Sequence, residues 1–181
     1  MRIVGGRYKG RRIDLPKGIG VRPTTDFAKE GLFNILHHSV PLEGIRVLDL
    51  FSGTGNISLE FLSRGAANVL SVDQDRQLFS YQQELARKLE ITDWQMVKSD
   101  VFTFLNSHRN TYDIVFADPP FKLEGIERIP TLVREAGLLG EAGMLIVEHP
   151  KEAKMSHDPW FWKHRPYGTV NFSFFQQPTA P

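Results

Sequence analysis

The chain has 181 residues, no cysteine, 22 Lys plus Arg and 21 Asp plus Glu, for a formal net charge of +1. The absence of cysteine excludes disulfide scaffolds, cysteine nucleophiles and Cys-ligated zinc or iron–sulfur centres. At 41% hydrophobic and 24% charged, the composition is that of a folded domain, and a chain this long buries about 70% of its unfolded surface without a covalent staple.

Residues 1–22 carry seven bases (Arg2, Arg7, Lys9, Arg11, Arg12, Lys17, Arg22) against Asp14 alone, a net of +6 that leaves −5 for the rest. A basic arm on an acidic body suits a polyanion at one end and a different ligand in the body. The arm's glycines (5, 6 and 10) and short extended pieces predict a small β-hairpin, with Arg7, Lys9, Arg11 and Arg12 pointing outward to meet the polyanion. It forms one unit, 1–22, ahead of a main domain, 23–181. Arg22-Pro23-Thr24-Thr25-Asp26 opens a helix capped by Thr or Asp, with Ala28, Leu32, Ile35 and Leu36 as its apolar stripe.

From Arg46 onward short apolar runs alternate with helical patterns. The runs are Val47–Phe51, Val69–Asp73, Gln95–Lys98, Ile114–Ala117 and Met144–Val147. Such runs predict a parallel sheet covered on both faces. Trp160, Trp162 and His164, then Val170, Phe172 and Phe174, alternate around Pro166-Tyr167-Gly168 and predict a closing antiparallel hairpin. No run approaches the roughly 18 apolar residues that cross a bilayer. Met1-Arg2-Ile3-Val4-Gly5-Gly6 breaks too early for a secretory signal, so a cytoplasmic protein without a membrane partner is expected. The six histidines (37, 38, 108, 149, 157 and 164) have no metal-ligand spacing, and no metal is expected.

In an open α/β sheet, ligands bind beyond the carboxyl ends of the strands near the switch in strand order. The first run ends in Asp49-Leu50-Phe51-Ser52-Gly53-Thr54-Gly55, a turn in which two glycines let the backbone approach a ligand. It lacks the third glycine of a dinucleotide fingerprint, and no Lys or Arg stands beside it for a phosphate, which argues against a nicotinamide dehydrogenase. Asp73 ends the second run, where nucleotide-binding domains put a ribose ligand, and Asp100 follows the third. Each acid alone is more often a helix cap. Together the three suit a ligand with a ribose, an adenine and positive charge, a description that S-adenosylmethionine meets.

Asp118-Pro119-Pro120-Phe121 follows the fourth run. The two prolines remove two backbone donors and stiffen the bend, leaving the Asp118 carboxylate and the Pro119 carbonyl as adjacent acceptors. A planar exocyclic amine is a poor nucleophile because its lone pair is delocalised into the ring. Two acceptors on its N–H bonds favour a pyramidal nitrogen aimed at a methyl group, and Phe121 offers a face for the base to stack on.

These segments together resemble the RsmD-like family of 16S rRNA (guanine-N2)-methyltransferases, which are class I S-adenosylmethionine-dependent enzymes. The likeness spans Arg2 to about Gln176 and rests on Gly5-Gly6 with Gly10-Arg11, Arg22-Pro23-Thr24-Thr25-Asp26, Glu30-Gly31-Leu32-Phe33-Asn34, the Asp49–Gly55 loop, Leu62–Ala66 and Asp118–Phe121. It implies a Rossmann-like class I methyltransferase fold with seven strands. It also implies methyl transfer to N2 of one guanine in small-subunit 16S rRNA, during or after assembly of the particle; a monomer that binds this RNA through Arg7, Lys9, Arg11 and Arg12 is expected. Catalytic roles fall to Asp118, Pro119 and Phe121, and cofactor contacts to Asp49, Phe51, Gly53, Gly55, Asp73, Asp100, Arg22 and Thr24. In this implied scheme Asp73 takes the ribose, Asp100 the adenine edge, and Asp49 with the glycines the methionyl end. Asp118 needs only ordinary carboxylate basicity, because the amine proton becomes acidic after methyl transfer. Two departures from the family pattern, Asp73 for a longer Glu and Asn56 for a smaller residue, bear on cofactor affinity. The rivals are an adenine-N6 DNA or protein-glutamine N-methyltransferase, from which Asp118 in place of Asn leans away, and a non-catalytic RNA-binding assembly factor, which has no use for the acceptor pair.

Overall fold

A computed structural model describes residues 1–15 and 24–178. The strands are β1 (Arg46–Leu50), β2 (Asn68–Asp73), β3 (Trp94–Lys98), β4 (Tyr112–Ala117), β5 (Leu139–His149), β6 (Phe161–Tyr167) and β7 (Val170–Gln176). They form one sheet in the order β3-β2-β1-β4-β5-β7-β6. The first five are parallel, while β7 is antiparallel to β5 and β6 to β7. The expected mostly parallel sheet with a C-terminal antiparallel hairpin is therefore present. The order reverses between β1 and β4, so the crevice above their carboxyl ends is where a ligand fits.

The helices are α1 (Asp26–Ser39), α2 (Asn56–Ser63), α3 (Arg76–Lys88), α4 (Val101–Ser107) and α5 (Ile129–Glu135). Alternate strand residues feed two cores. Val47, Val69, Ile114, Phe116, Met144, Ile146, Phe172 and Phe174 pack under α1, α2 and α3. Leu48, Leu50, Leu70, Val115, Ala117 and Val147 pack under α4 and α5. Burial on both faces is why these strands read as continuous apolar runs.

Three details differ from the sequence expectation. The arm follows a hairpin path, but its ladder is a single antiparallel bridge, Arg2 to Arg12, around a 3-10 turn at Gly6–Tyr8. The tip leans on the end of α2 instead. The Ser63 hydroxyl donates to the Gly5 carbonyl and accepts from the Tyr8 N–H, and Gly6 (φ +71°) lies where a Cβ would overlap the Ser63 carbonyl. Helix α1 is capped by the Thr25 side chain, and it buries Lys29 and Phe33 along with Ala28, Leu32 and Leu36, whereas Ile35 is only partly covered. Strand β5 runs past Val147 to His149 and so carries Glu148 into the sheet.

Candidate active site

A cavity of about 620 Å³ opens above the carboxyl ends of β1, β2, β4 and β5, within the range of small-molecule sites. Asp49, Phe51, Gly53, Asp73, Asp100, Asp118, Pro119, Phe121 and Thr24 all line it, so the sequence-derived residues converge on one space. Gly55 does not line it. Its φ of +73° and a Cβ position that would overlap the Trp94 ring show that packing against β3 already demands a glycine here. Arg22 lies outside the described residues. Arg7, Lys9, Arg11 and Arg12 are exposed on the arm, where the Arg7 and Arg11 guanidinium groups sit 4.8 and 5.5 Å from the centre of the Tyr8 ring.

The loop after β1 holds its shape through both neighbouring strands and α3. Asp73 accepts the Gly53 N–H at 2.8 Å and the Asp75 N–H at 2.9 Å. Gln82 donates to the Gly53 carbonyl and the Ser52 hydroxyl. Phe51 adopts φ +59°, a costly conformation for a residue with a Cβ, and its ring meets Phe102 edge to face with centroids 6.3 Å apart. Phe102, with Asp100 and Leu78, completes an apolar and acidic wall beside Asp73. Asp100 doubles as the cap of α4, accepting from Thr103.

Five carboxyl groups line the cavity (Asp49, Asp73, Asp100, Asp118 and Glu148), and no Lys or Arg does among the described residues. Burial pushes the Asp49 carboxyl up to about 7, against a lowering hydrogen bond from the Ser58 hydroxyl, with the charges of Asp118 and Asp73 adding to the rise. Burial, then the facing Glu148 charge, raises Asp118 well above the usual carboxylate range. Glu148 is raised to about 7 by burial, partly offset by the Thr24 hydroxyl that donates to it at 3.2 Å. Asp118 is thus a stronger proton acceptor than the ordinary carboxylate expected from the sequence. Among the described residues no N–H or O–H donates to the Pro119 carbonyl. Phe121, 45% exposed, stands at the mouth.

Sequence reasoning missed Glu148, although it follows the apolar run Met144–Val147 as Asp73 and Asp118 follow theirs. It also missed Phe102, for which no sequence signal exists, and the role of Asn56. The Asn56 amide donates to the Thr24 carbonyl at 3.2 Å and accepts from the Lys29 ammonium at 2.8 Å. Lys29 in turn pairs with Glu60 at 3.3 Å, both side chains fully buried, and Glu60 accepts the Val4 N–H of the arm. A continuous polar chain therefore links the arm to Thr24 and Glu148.

The family model described as "Conserved hypothetical protein 95" matches residues 1–176. The chain is 31% identical over 180 residues to the ribosomal RNA small subunit methyltransferase D of Escherichia coli K12, covering 98% of this chain and 90% of that protein. A solved Escherichia coli structure, yhhF, described as a methyltransferase, matches with a TM-score of 0.85 and 30% identity over 99% of each chain. The SMU.776 structure, in complex with S-adenosylhomocysteine, shares the fold at a TM-score of 0.62 and 20% identity, over 82% of this chain and 49% of that one.

Proposed function

This chain belongs to the RsmD-like family of small-subunit rRNA methyltransferases, and from that premise we propose that it methylates the exocyclic N2 amine of one guanine in 16S rRNA. One observation carries the reading: the acceptors of the rigid Asp118-Pro119 bend open into the same acid-lined cavity as Gly53 and Asp73. A cavity with five carboxyl groups and no base among its described lining residues fits a cationic, ribose-bearing ligand and disfavours one rich in phosphates. When bound, S-adenosylmethionine supplies an electrophilic methyl group on a sulfonium. Asp73 takes the ribose hydroxyls, Phe51, Phe102 and Asp100 enclose the adenine, and Asp49 with the Gly53 backbone meets the methionyl end.

Asp118 and Pro119 accept the two amine N–H bonds and hold the nitrogen lone pair toward the methyl. The proton released after transfer goes to Asp118, whose raised affinity for protons suits it to the step. Phe121 stacks on the base, which enters unpaired or flipped out of its helix. The exposed arm cations hold phosphates, and so do Lys151 and Lys154, which line a second hollow that shares Phe121 with the first. We infer a cytoplasmic monomer that acts on the assembling subunit.

The test is transfer of labelled methyl to small-subunit particles and to stripped 16S rRNA, followed by mass mapping of the modified nucleotide. N2-methylguanine at one position is expected. Methyl on adenine or on protein refutes the reading. The Asp118→Ala variant is expected to lose turnover while binding S-adenosylhomocysteine normally in calorimetry; substantial turnover removes the acceptor role.

A further inference from the structure

Glu148 is the penultimate residue of β5, and Ala117 of β4 pairs with Val147. Asp118 and Glu148 therefore follow side by side on neighbouring strands, roughly 4.8 Å apart, on the face shared by Phe116 and Ile146. Glu148 is only 4% exposed, yet it lines the cavity. One of its oxygens accepts the Thr24 hydroxyl. Among the described residues nothing donates to the other, and no fully buried side-chain oxygen lacks a partner, so this oxygen is the part of Glu148 that opens into the cavity. It is free to accept a hydrogen bond from a bound ligand.

We propose that Glu148 selects the base: its open oxygen accepts the ring N1–H of guanine while Asp118 and Pro119 hold the adjacent N2 amine. This rests on the guanine reading above. Adenine, cytosine and guanine all carry exocyclic amines, and an acceptor pair alone does not tell them apart. Only guanine has a ring N–H beside its amine; adenine N1 and cytosine N3 are bare lone pairs. A carboxylate opposite a lone pair is repelled, and each is left without a donor. Two acceptors on adjacent strands thus match two neighbouring donors of one base and reject the other two amines.

The probe is 2-aminopurine riboside, which keeps the N2 amine and lacks the N1–H. It is introduced by ligation at the mapped target position of 16S rRNA, in the particle that the wild-type protein methylates. Wild-type protein is expected to methylate the 2-aminopurine RNA at least roughly 100-fold less efficiently in kcat/KM than the guanine RNA. The Glu148→Gln variant carries both an acceptor and a donor on its amide, so its ratio is expected to fall within about fivefold of unity. The wild-type ratio needs no variant and stands even where Glu148→Gln fails to fold. Near-equal use of the two RNAs by wild-type protein overturns the proposal, and so does a folded, active Glu148→Gln that discriminates as the wild type does. A methyl mapped to adenine or cytosine in unmodified RNA overturns the guanine reading itself, and that outcome is distinguished before any analogue is used.

Discussion

Removing the Lys29 ammonium while keeping its apolar stem, as Lys29→Met, breaks the link between the arm and the site at its most buried point. Lys29 and Glu60 are both fully buried, 3.3 Å apart, and the ammonium also donates to the Arg2 carbonyl and the Asn56 amide oxygen. Truncating one partner of a buried pair costs about 3–5 kcal/mol, because the other charge is stranded. Here Glu60 keeps the Arg64 guanidinium at 2.9 Å and the Val4 N–H at 3.0 Å, so the lower end, about 3 kcal/mol, applies. For a domain of this size that lowers Tm by roughly 6–12 °C, readable by scanning calorimetry. Trypsin is expected to cut faster after Arg7 and Lys9, since the arm loses its anchor. The double variant Lys29→Met with Glu60→Gln removes the stranded charge and is expected to recover at least about half of the lost stability. A single variant melting within about 2 °C of wild type, or a double variant less stable than the single, refutes this account of the buried pair.

Replacing Asp73 by Ala removes the acceptor of the Gly53 N–H and the carboxyl offered to the ribose; the dissociation constant for S-adenosylhomocysteine is expected to rise roughly 10- to 100-fold in calorimetry, and an unchanged value moves the ribose elsewhere. Arg11→Ala with Arg12→Ala weakens RNA binding and flattens the log–log salt slope by roughly 0.7–0.9 per lost phosphate contact, with the single-turnover rate at saturation unchanged; normal binding by this variant leaves the arm without a substrate role. The acceptor pair works only with Asp118 ionised, and burial beside the Glu148 charge raises that carboxyl well above the usual carboxylate range. Single-turnover methyl transfer is therefore expected to keep rising with pH above the range where an ordinary carboxylate is already ionised, and a flat profile there sinks the assignment. Stability runs the other way. Asp49 and Glu148, both raised to about 7, hold protons in the folded state that the unfolded chain gives up near pH 4. Their stabilisation is complete below that lower value and is lost as pH rises through about 7, so Tm falls between about pH 4 and 7 and levels off above.

The parallel core of the sheet was legible because β1, β2 and β4 are buried on both faces, which turns each into an unbroken apolar run. The strand-end acids were legible for a related reason: a polar residue that abruptly ends such a run marks the place where the strand leaves the core. Asp73, Asp100 and Asp118 were found in this way, and Asp49 because it interrupts an apolar run just ahead of the glycine loop. Glu148 carried the same signal after Met144–Val147 and was missed, and only its place beside Asp118 across β4 and β5 shows its importance.

Local sequence determined the order of strands and helices, the cap at Thr25, the stiff bend at Asp118-Pro119-Pro120 and the charge of the arm, since each depends on residues within a few positions of one another. Only the folded chain decided that Gly55 serves Trp94, that Lys29 is a buried ion rather than a surface base, and that Glu148 stands beside Asp118. These facts join residues 27 to 39 positions apart, and the burial that raises the carboxyls of Asp49, Asp118 and Glu148 arises only when β1, β4 and β5 close beneath α1 and α2.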